Sequence, residues 1–345
     1  MHHFQAMSFK SIAVSLPLLW RCATALPAGP GFFPNGSTPS ATSEIHSSSV
    51  YGLIDNYDAG NWLSKFDVQD ISDPTHGFVD YVNAQDAQNL GLLKMQNGQV
   101  YMGVDTSSHL DPNGSGRKSV RIQSKTSYNR ALVIADIAHA PGSACGSWPA
   151  YWMVGANWPN QGELDIYEGV HLNTYNQVTL HTAPGCAPNV GPGGEQGSRV
   201  ANADCGAGGG FNGCGVSSNS PVSYGTAFNA NGGGVYASLW TSSGIKVWYF
   251  ASRDVPSNIR SGNPNPDSWG TPMANYGNGG CDFNGRFRDM NIVFDITFCG
   301  DWAGGVWGST SCAAINPSCN AYVASQPQSF YDTYWLINSI KVYSV

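Results

Sequence analysis

One hexapeptide restricts the fold of this 345-residue chain more than any other stretch, because it holds three carboxylates, Glu163, Asp165 and Glu168. Polar and apolar residues alternate from Glu163 to Ile166, which is typical of a half-buried β-strand. Side chains on a strand repeat every two residues, so Glu163 and Asp165 share a face, whereas Glu168 would point away from it. One extra residue at Ile166 and Tyr167, a β-bulge, would bring all three carboxylates onto one face.

Carboxylates gathered on one face are unusual unless a function needs them. Neighbouring negative charges raise one another's pKa values, and holding them together lowers the stability of the folded chain. Two carboxyl groups about 5–5.5 Å apart serve a retaining glycosidase, one as the nucleophile and the other as the acid/base. The alternative is a charged strand face exposed to solvent, and the hexapeptide alone leaves that alternative open.

The composition predicts an all-β protein with one large domain. The chain has 42 glycines, 20 prolines and 12% aromatic residues but only 11% charged residues, which indicates many strands and turns. Residues 235–240 and 245–250 flank a turn and predict a hairpin, and Met290–Phe298 alternates between polar and apolar positions. Residues 185–220 are rich in glycine and hold three cysteines, so we expect a long cross-linked loop there and no sheet strand.

The N-terminus predicts export from the cell. Lys10 precedes an apolar run from Ile12 to Trp20, and small residues follow at 23–25, so residues 1–25 form the expected signal peptide. The start at Met1 or Met7 is left open, and a buried N-terminal helix is the alternative. Residues 26–50 are rich in Pro, Gly, Ser and Thr and predict a flexible leader, and residues 51–345 form the expected catalytic domain.

The charge and the cysteines agree with a secreted, extracellular protein. A formal charge of −7 argues against nucleic acid and anionic membranes as partners. Removing the signal peptide discards Cys22 and leaves eight cysteines, an even number that favours disulfides without choosing their pairing. Zinc is the alternative, but no CxxC pair and no zinc-type histidine spacing is present. Asn35 and Asn113 begin candidate N-glycosylation sequons.

Several further segments accompany the hexapeptide in a fixed order. They are Asp73–Tyr81, Gly116–Arg121, Gly146–Trp152, Asn157–Pro159, Gln177–Thr182 and Phe298–Gly304. Together they resemble segments of glycoside hydrolase family 16, in particular of the fungal secreted laminarinase-like endo-β-1,3(4)-glucanases. The resemblance covers roughly Tyr51 to Val345, which makes it more specific than the hexapeptide alone.

The resemblance implies a fold and a reaction. The fold is a β-jelly-roll sandwich of two antiparallel sheets, with a concave cleft for the substrate. Glu163 would be the nucleophile and Glu168 the acid/base, while Asp165 would hydrogen-bond to Glu163. The two residues between Asp165 and Glu168 resemble the laminarinase branch, which implies endo-acting, retaining hydrolysis of β-1,3 or mixed β-1,3/1,4-glucan, as in laminarin or lichenan.

The resemblance also nominates residues that contact the polysaccharide. Sugar rings stack on aromatic faces, so Trp148, Trp158 and Trp302 are candidate substrate-binding residues, with core packing as the alternative for each. His181, on a strand expected to pair with the catalytic one, is a further candidate substrate-binding residue. No cofactor and no catalytic metal are expected, although the sequence leaves open whether a structural calcium ion is bound. We expect a monomer whose partner is a β-glucan polysaccharide.

Two other functions stay open. A cell-wall transglycosylase would use the same carboxylates and pass the glycosyl unit to another sugar instead of water. A non-catalytic glucan-binding protein on the same sandwich is the second alternative, but such relatives lack one of the carboxylates and this chain retains all three. Neither the linkage preference nor the biological role follows from the sequence.

Overall fold

The computed structural model describes residues 51–277 and 279–345, so the predicted signal peptide and leader lie outside the described residues. In these ranges the chain folds into short strands, which are β1 (Leu53–Tyr57), β2 (Phe66–Val68), β3 (Val79–Tyr81), β4 (Leu93–Gln96), β5 (Gln99–Gly103), β6 (Arg117–Ser119), β7 (Ile122–Tyr128), β8 (Leu132–His139), β9 (Ser147–Gly155), β10 (Glu163–Glu168), β11 (Gln177–His181), β12 (Asn189–Val190), β13 (Ser198–Ala201), β14 (Cys214–Ser217), β15 (Gly234–Thr241), β16 (Gly244–Ala251), β17 (Ala274–Gly277), β18 (Met290–Phe298) and β19 (Tyr334–Tyr343).

Helices are short and lie between the strands. The α-helices of the described ranges are α1 (Trp62–Lys65), α2 (Ala84–Asn89), α3 (Gly225–Ala230), α4 (Ser257–Arg260), α5 (Phe283–Arg286) and α6 (Cys319–Ser325). None of these helices has the length and apolar character needed to cross a membrane.

Two large antiparallel sheets organise the strands. One sheet has nine strands, in the order β12-β17-β16-β15-β8-β19-β5-β4 with β1 beside β19, and is called sheet A. The other, sheet B, has eight strands in the order β13-β14-β11-β10-β9-β18-β7-β2. A small parallel pair, β3 with β6, accompanies them. The prediction of an all-β sandwich of two antiparallel sheets is confirmed.

Aromatic side chains fill the core between the two sheets. The ring of Trp335, on β19 of sheet A, lies 5.1 Å from the rings of both Tyr167 and Phe294, which belong to sheet B. The indole nitrogen of Trp335 also donates a hydrogen bond of 3.1 Å to the main-chain oxygen of Asp295. These contacts occupy the inner face of sheet B, so its outer face is the one available for a functional site.

The strand predictions hold in two places and fail in a third. The hairpin is present as β15 and β16, and Met290–Phe298 is β18. However, residues 185–220 are not a loop alone, because β12, β13 and β14 lie within them and β14 pairs with β11. These strands have only two to four residues, too few for a period to emerge, and hydrogen bonds to distant strands decide their conformation.

The first and last strands lie side by side in sheet A. β1 pairs with β19 in antiparallel fashion, with Tyr57 opposite Ile340. Next to this pairing, the main-chain nitrogen of Ser344 donates to the main-chain oxygen of Gly52 at 2.8 Å. The two ends of the described chain are therefore neighbours.

All eight cysteines of the described ranges form disulfides, as the even number predicts. The pairs, which the sequence left open, are Cys145–Cys312, Cys186–Cys281, Cys205–Cys214 and Cys299–Cys319. The first joins residues 167 positions apart and the third joins residues only nine apart. Cys205–Cys214 cross-links the glycine-rich segment, as expected.

We expect thiol titration of the denatured, unreduced protein to find none of these eight thiols, leaving at most Cys22 where the N-terminal segment is retained. The two extreme cross-links also serve as matched variants. Because the entropy that a cross-link removes from the unfolded chain grows with loop length, replacing both cysteines of Cys145–Cys312 by serine should lower the free energy of unfolding by roughly 5 kcal/mol, against roughly 3 kcal/mol for Cys205–Cys214. Equal losses in denaturant titrations would contradict this account.

Candidate active site

The predicted β-bulge is present on β10, the fourth of eight strands in sheet B. Asp165 lies opposite Trp152 of β9, whereas Tyr167 lies opposite Tyr151, so Ile166 is the extra residue. Ile166 and Tyr167 are both fully buried in the core, and Glu168 returns to the face that carries Glu163 and Asp165. The strand is more buried than the expected half-buried one, because only Glu163 keeps appreciable exposure.

A buried asparagine holds the bulge. The side-chain oxygen of Asn176 accepts a hydrogen bond of 2.8 Å from the main-chain nitrogen of Glu168. Its side-chain nitrogen donates a bond of 2.8 Å to the main-chain oxygen of Ile166. A bulge leaves main-chain groups without ladder partners, and one amide satisfies a donor and an acceptor here. Sequence reasoning predicted the bulge but missed Asn176, because nothing in the sequence shows which side chain reaches it.

Asp165 and Glu163 share a charged partner on β11. The Nε2 atom of His181 lies 3.2 Å from an oxygen of Asp165 and 3.9 Å from one of Glu163. Its Nδ1 atom donates to the main-chain oxygen of Gly210 at 2.6 Å, so that nitrogen carries a proton. Burial disfavours the charged ring, but Asp165 and Glu163 outweigh it and raise the pKa of His181 to about 10. His181 therefore stays positive at neutral pH.

The two outer carboxylates differ in their surroundings. Burial, followed by the charge of Asp165, raises the pKa of Glu163 above its usual range, while His181 and Arg121 favour its ionised form. Burial and Asp165 also raise the pKa of Glu168, which lies well above its usual range. The hydrogen bond from Trp148 and the charge of His181 favour the ionised form of Glu168, but they do not offset this rise.

The predicted tryptophans lie at both ends of this carboxylate row. At one end the indole nitrogen of Trp148 donates to Glu168 at 2.8 Å, and the ring of Trp302 meets that of Trp148 edge-on at 5.7 Å. At the other end Trp158 lies beside Glu163 and favours its ionised form, although no described acceptor meets hydrogen-bonding geometry at its indole nitrogen. All three tryptophans are half-buried, so part of each ring faces solvent.

A second charged group extends the same face toward β7. The guanidinium of Arg121 donates to Asp295 at 2.9 Å and stacks 4.9 Å from the ring of Trp152. Burial raises the pKa of Asp295 to about 7, although Arg121 opposes this. Asp295 and Glu168 both pair with Ala150 from opposite sides, which places the two acids on the same face. Sequence reasoning did not name Arg121 as a site residue. Its charge, next to β7 in a chain with few charged residues, was the signal that could have found it.

Three side chains of the site have the spacing of metal ligands. Among the described residues, Glu163, Asp165 and His181 form the one group whose ligand atoms lie close enough for a metal, within 4.8 Å of one another. Nδ1 of His181 donates to Gly210, so Nε2 is the nitrogen that this group presents to the two acids. The arrangement can hold one ionised carboxylate and one protonated carboxyl on a single face.

Comparison with known proteins finds relatives that are named endo-1,3(4)-β-glucanases. The chain is 45% identical over 314 residues, 89% of its length, to a probable endo-1,3(4)-β-glucanase of Aspergillus fumigatus. It is 42% identical over 87% of its length to the endo-1,3(4)-β-glucanase xgeA of Emericella nidulans. The chain spans about half the length of these curated relatives, 48% of each. A probable glycosidase of Schizosaccharomyces pombe is 41% identical, and the match covers 70% of its length.

Solved structures agree in fold and in sequence. An elongating family 16 β-1,3-glucosyltransferase is 41% identical with a TM-score of 0.79, and the match covers 85% of this chain and all of that one. Laminarinase 16A from Phanerochaete chrysosporium, solved with β-glucans in donor and acceptor sites, is 40% identical with a TM-score of 0.78, covering 85% and 99%. The model of the XgeA-like catalytic domain of family 16 matches residues 66–343. The chain therefore belongs to glycoside hydrolase family 16.

Proposed function

We propose that this chain is the catalytic domain of a retaining endo-β-1,3(4)-glucanase. The observation that carries the proposal is the bulged strand, which gathers Glu163, Asp165 and Glu168 on one face between half-buried tryptophans. The names of the relatives, endo-1,3(4)-β-glucanases and a laminarinase, support β-1,3 or mixed β-1,3/1,4-glucan as the substrate. Laminarin and lichenan are polymers of these two kinds.

The proposed reaction has two displacements at the anomeric carbon. Glu163 attacks that carbon while the glycosidic bond breaks, and Glu168 gives its proton to the departing oxygen. In the second step Glu168 takes a proton from water, whose oxygen bonds to the anomeric carbon as the bond to Glu163 breaks. The raised pKa of Glu168 suits the role of acid, because the acid must be protonated while the nucleophile is ionised.

His181 and Asp165 are proposed to stabilise the ionised nucleophile. The positive ring of His181 lies between Asp165 and Glu163 and screens their mutual repulsion. Asp165 in turn keeps the ring charged, so the negative charge of Glu163 has a fixed neighbour of opposite sign. No cofactor takes part in this scheme, and a structural calcium ion elsewhere stays open.

We also propose that the protein acts outside the cell as a monomer. The four disulfides of the described residues favour an oxidising compartment. The expected signal peptide over residues 1–25 and the names of the fungal glucanase relatives support the same location. A single domain with its own cleft can bind a polysaccharide without a second copy.

Transglycosylation is the second candidate function. The observation that favours it is the 41% identity to an elongating β-1,3-glucosyltransferase, whose match covers all of that chain. The two activities share the first displacement and differ only in whether water or a sugar hydroxyl takes the glycosyl unit. Products longer than the starting oligosaccharide would favour this candidate over hydrolysis.

The function is tested by digesting laminarin, lichenan and a β-1,4-glucan and sizing the products over time. We expect laminarin and lichenan to shorten quickly into mixed oligosaccharides, because an open cleft cleaves within the polymer, and we expect the β-1,4-glucan to remain intact. Proton NMR of the first products should show the β-anomer. Release of the α-anomer, or no cleavage of any β-1,3-linked polymer, would contradict the proposal.

The roles of Glu163 and Glu168 can be separated by azide. Glu163→Ala should lower kcat/KM by several orders of magnitude, and azide should restore turnover by a single displacement that gives an α-glycosyl azide. Glu168→Ala should instead give a β-glycosyl azide, since Glu163 still forms the covalent intermediate. Azides of the same configuration from both variants, or Glu163→Ala activity above about a tenth of wild type (~1.4 kcal/mol), would exclude this assignment.

Removing the clamp on the bulge should alter the acid/base. Asn176→Ala leaves the main-chain groups of Ile166 and Glu168 without partners, so the free energy of unfolding should fall by roughly 2–4 kcal/mol. A loosened bulge also admits water to Glu168, and since burial raises its pKa, that pKa should fall. Activity requires the protonated acid, so the alkaline limb of kcat/KM should move to lower pH.

Asn229→Ala is the matched control for that experiment. The Asn229 side chain also bridges two main-chain atoms, accepting from the nitrogen of Ala140 at 2.9 Å and donating to its oxygen at 2.8 Å. It also contacts Nε2 of His139 at 3.0 Å, and its helix packs on β8 of sheet A. Because it bonds to none of the three carboxylates, stability should fall while the pH profile stays unchanged. An unchanged alkaline limb in Asn176→Ala would limit Asn176 to a structural role.

A further inference from the structure

A small cross-linked loop stands beside the nucleophile and bears an exposed aromatic ring. The loop runs from Cys205 to Cys214, which form a disulfide, and Phe211 lies near its end. Phe211 is 72% exposed, whereas most large aromatic residues of the described chain are buried. Its ring meets that of Trp158 edge-on at 5.0 Å. Covering so exposed an apolar ring with a ligand removes apolar surface from water, which is favourable.

The loop is held firmly at its base. A carboxylate, Asp204, accepts hydrogen bonds from the main-chain nitrogens of Gly185, Cys186 and Gly206 at 2.9–3.1 Å. The main-chain nitrogen of Thr182, which follows β11, donates to Cys205 at 3.1 Å. Because the loop is ordered before any ligand arrives, binding to it costs little conformational entropy.

The loop also lies directly on the catalytic cluster. Gly210 supplies the oxygen that accepts from Nδ1 of His181 at 2.6 Å. Gly213, with a φ of 59°, approaches the same ring so closely that a Cβ atom would lie 2.7 Å from Cε1 of His181. Only glycine permits both this φ and this contact. The position of Phe211 is therefore coupled to the histidine that faces Glu163 and Asp165.

Phe211 lies on the opposite side of β10 from the second charged group. In sheet B, β11 flanks β10 on one side, while β9, β18 and β7 follow on the other. Arg121 and Asp295 belong to the β7 and β18 side, and the loop with Phe211 covers β11. A polymer that crosses the strands over Glu163 would thus reach Arg121 in one direction and Phe211 in the other.

We propose that Phe211 and Trp158 form an aromatic subsite that stacks on a glucosyl unit of the polymer, on the β11 side of the cleavage point. The apolar C–H face of a β-glucosyl ring matches the exposed face of Phe211, and the edge-on contact with Trp158 orients it. This inference rests on the proposed function and names a further part of its substrate site. The subsite favours long chains over short ones.

The test measures binding, with Glu163→Gln as the background so that the sugar is not cleaved. Calorimetry with β-1,3-linked glucose oligomers, from the disaccharide to the heptasaccharide, gives the affinity at each length. Adding Phe211→Ala should weaken binding roughly three- to tenfold for the longer oligomers that reach the loop, and should leave the shortest unchanged. Phe211→Trp should bind like the background, whereas Phe211→Leu should bind like Phe211→Ala.

Tyr331→Ala is the control, because Tyr331 is 77% exposed but lies near Tyr334 of sheet A. It should change no affinity. If the background protein binds no oligomer of any length, the proposed glucan function fails. If it binds them, but Phe211→Ala has the affinity of the background at every length or is weakened equally at every length, the aromatic subsite is wrong. Full affinity in Phe211→Leu would also exclude it.

Discussion

The structure depends on one extra residue in one strand. Because Ile166 has no partner on β9, two consecutive apolar side chains enter the core and Glu168 returns to the face of Glu163. In a regular strand Tyr167 would share the face of Glu163, and Glu168 would point into the core. The single amide of Asn176 makes the irregularity tolerable, since it replaces the ladder bonds that the bulge removes.

The bulge concentrates negative charge, and the surrounding elements compensate for it. β11 contributes His181 and the Cys205–Cys214 loop fixes that ring, while β9 contributes Trp148 as a donor to Glu168. These partners come from segments far apart in the chain, so the site requires the whole sheet to be in register. Three acids in a poorly hydrated row still lower the stability of the folded chain. A reactive carboxylate pair requires this arrangement.

Much of this could be predicted from the hexapeptide, because a period of two and a bulge are local properties. The sandwich and the family followed from ordered segments along the chain. The sequence could not predict β12 to β14, whose few residues take their conformation from distant partners. The same reason hid Asn176 and the disulfide pairs, since each is defined by an atom that arrives from elsewhere in the fold. Phe211 sits among glycines, where no period marks a role.

The pairing of β1 with β19 has a topological consequence. The first and last described strands are hydrogen-bonded neighbours in sheet A, and the carboxylates lie on sheet B. The backbone therefore forms an almost closed ring, and any segment joined to either end would be tethered at one place on the sheet that does not carry the site. Such a fold could be circularly permuted, because its first and last strands already lie side by side.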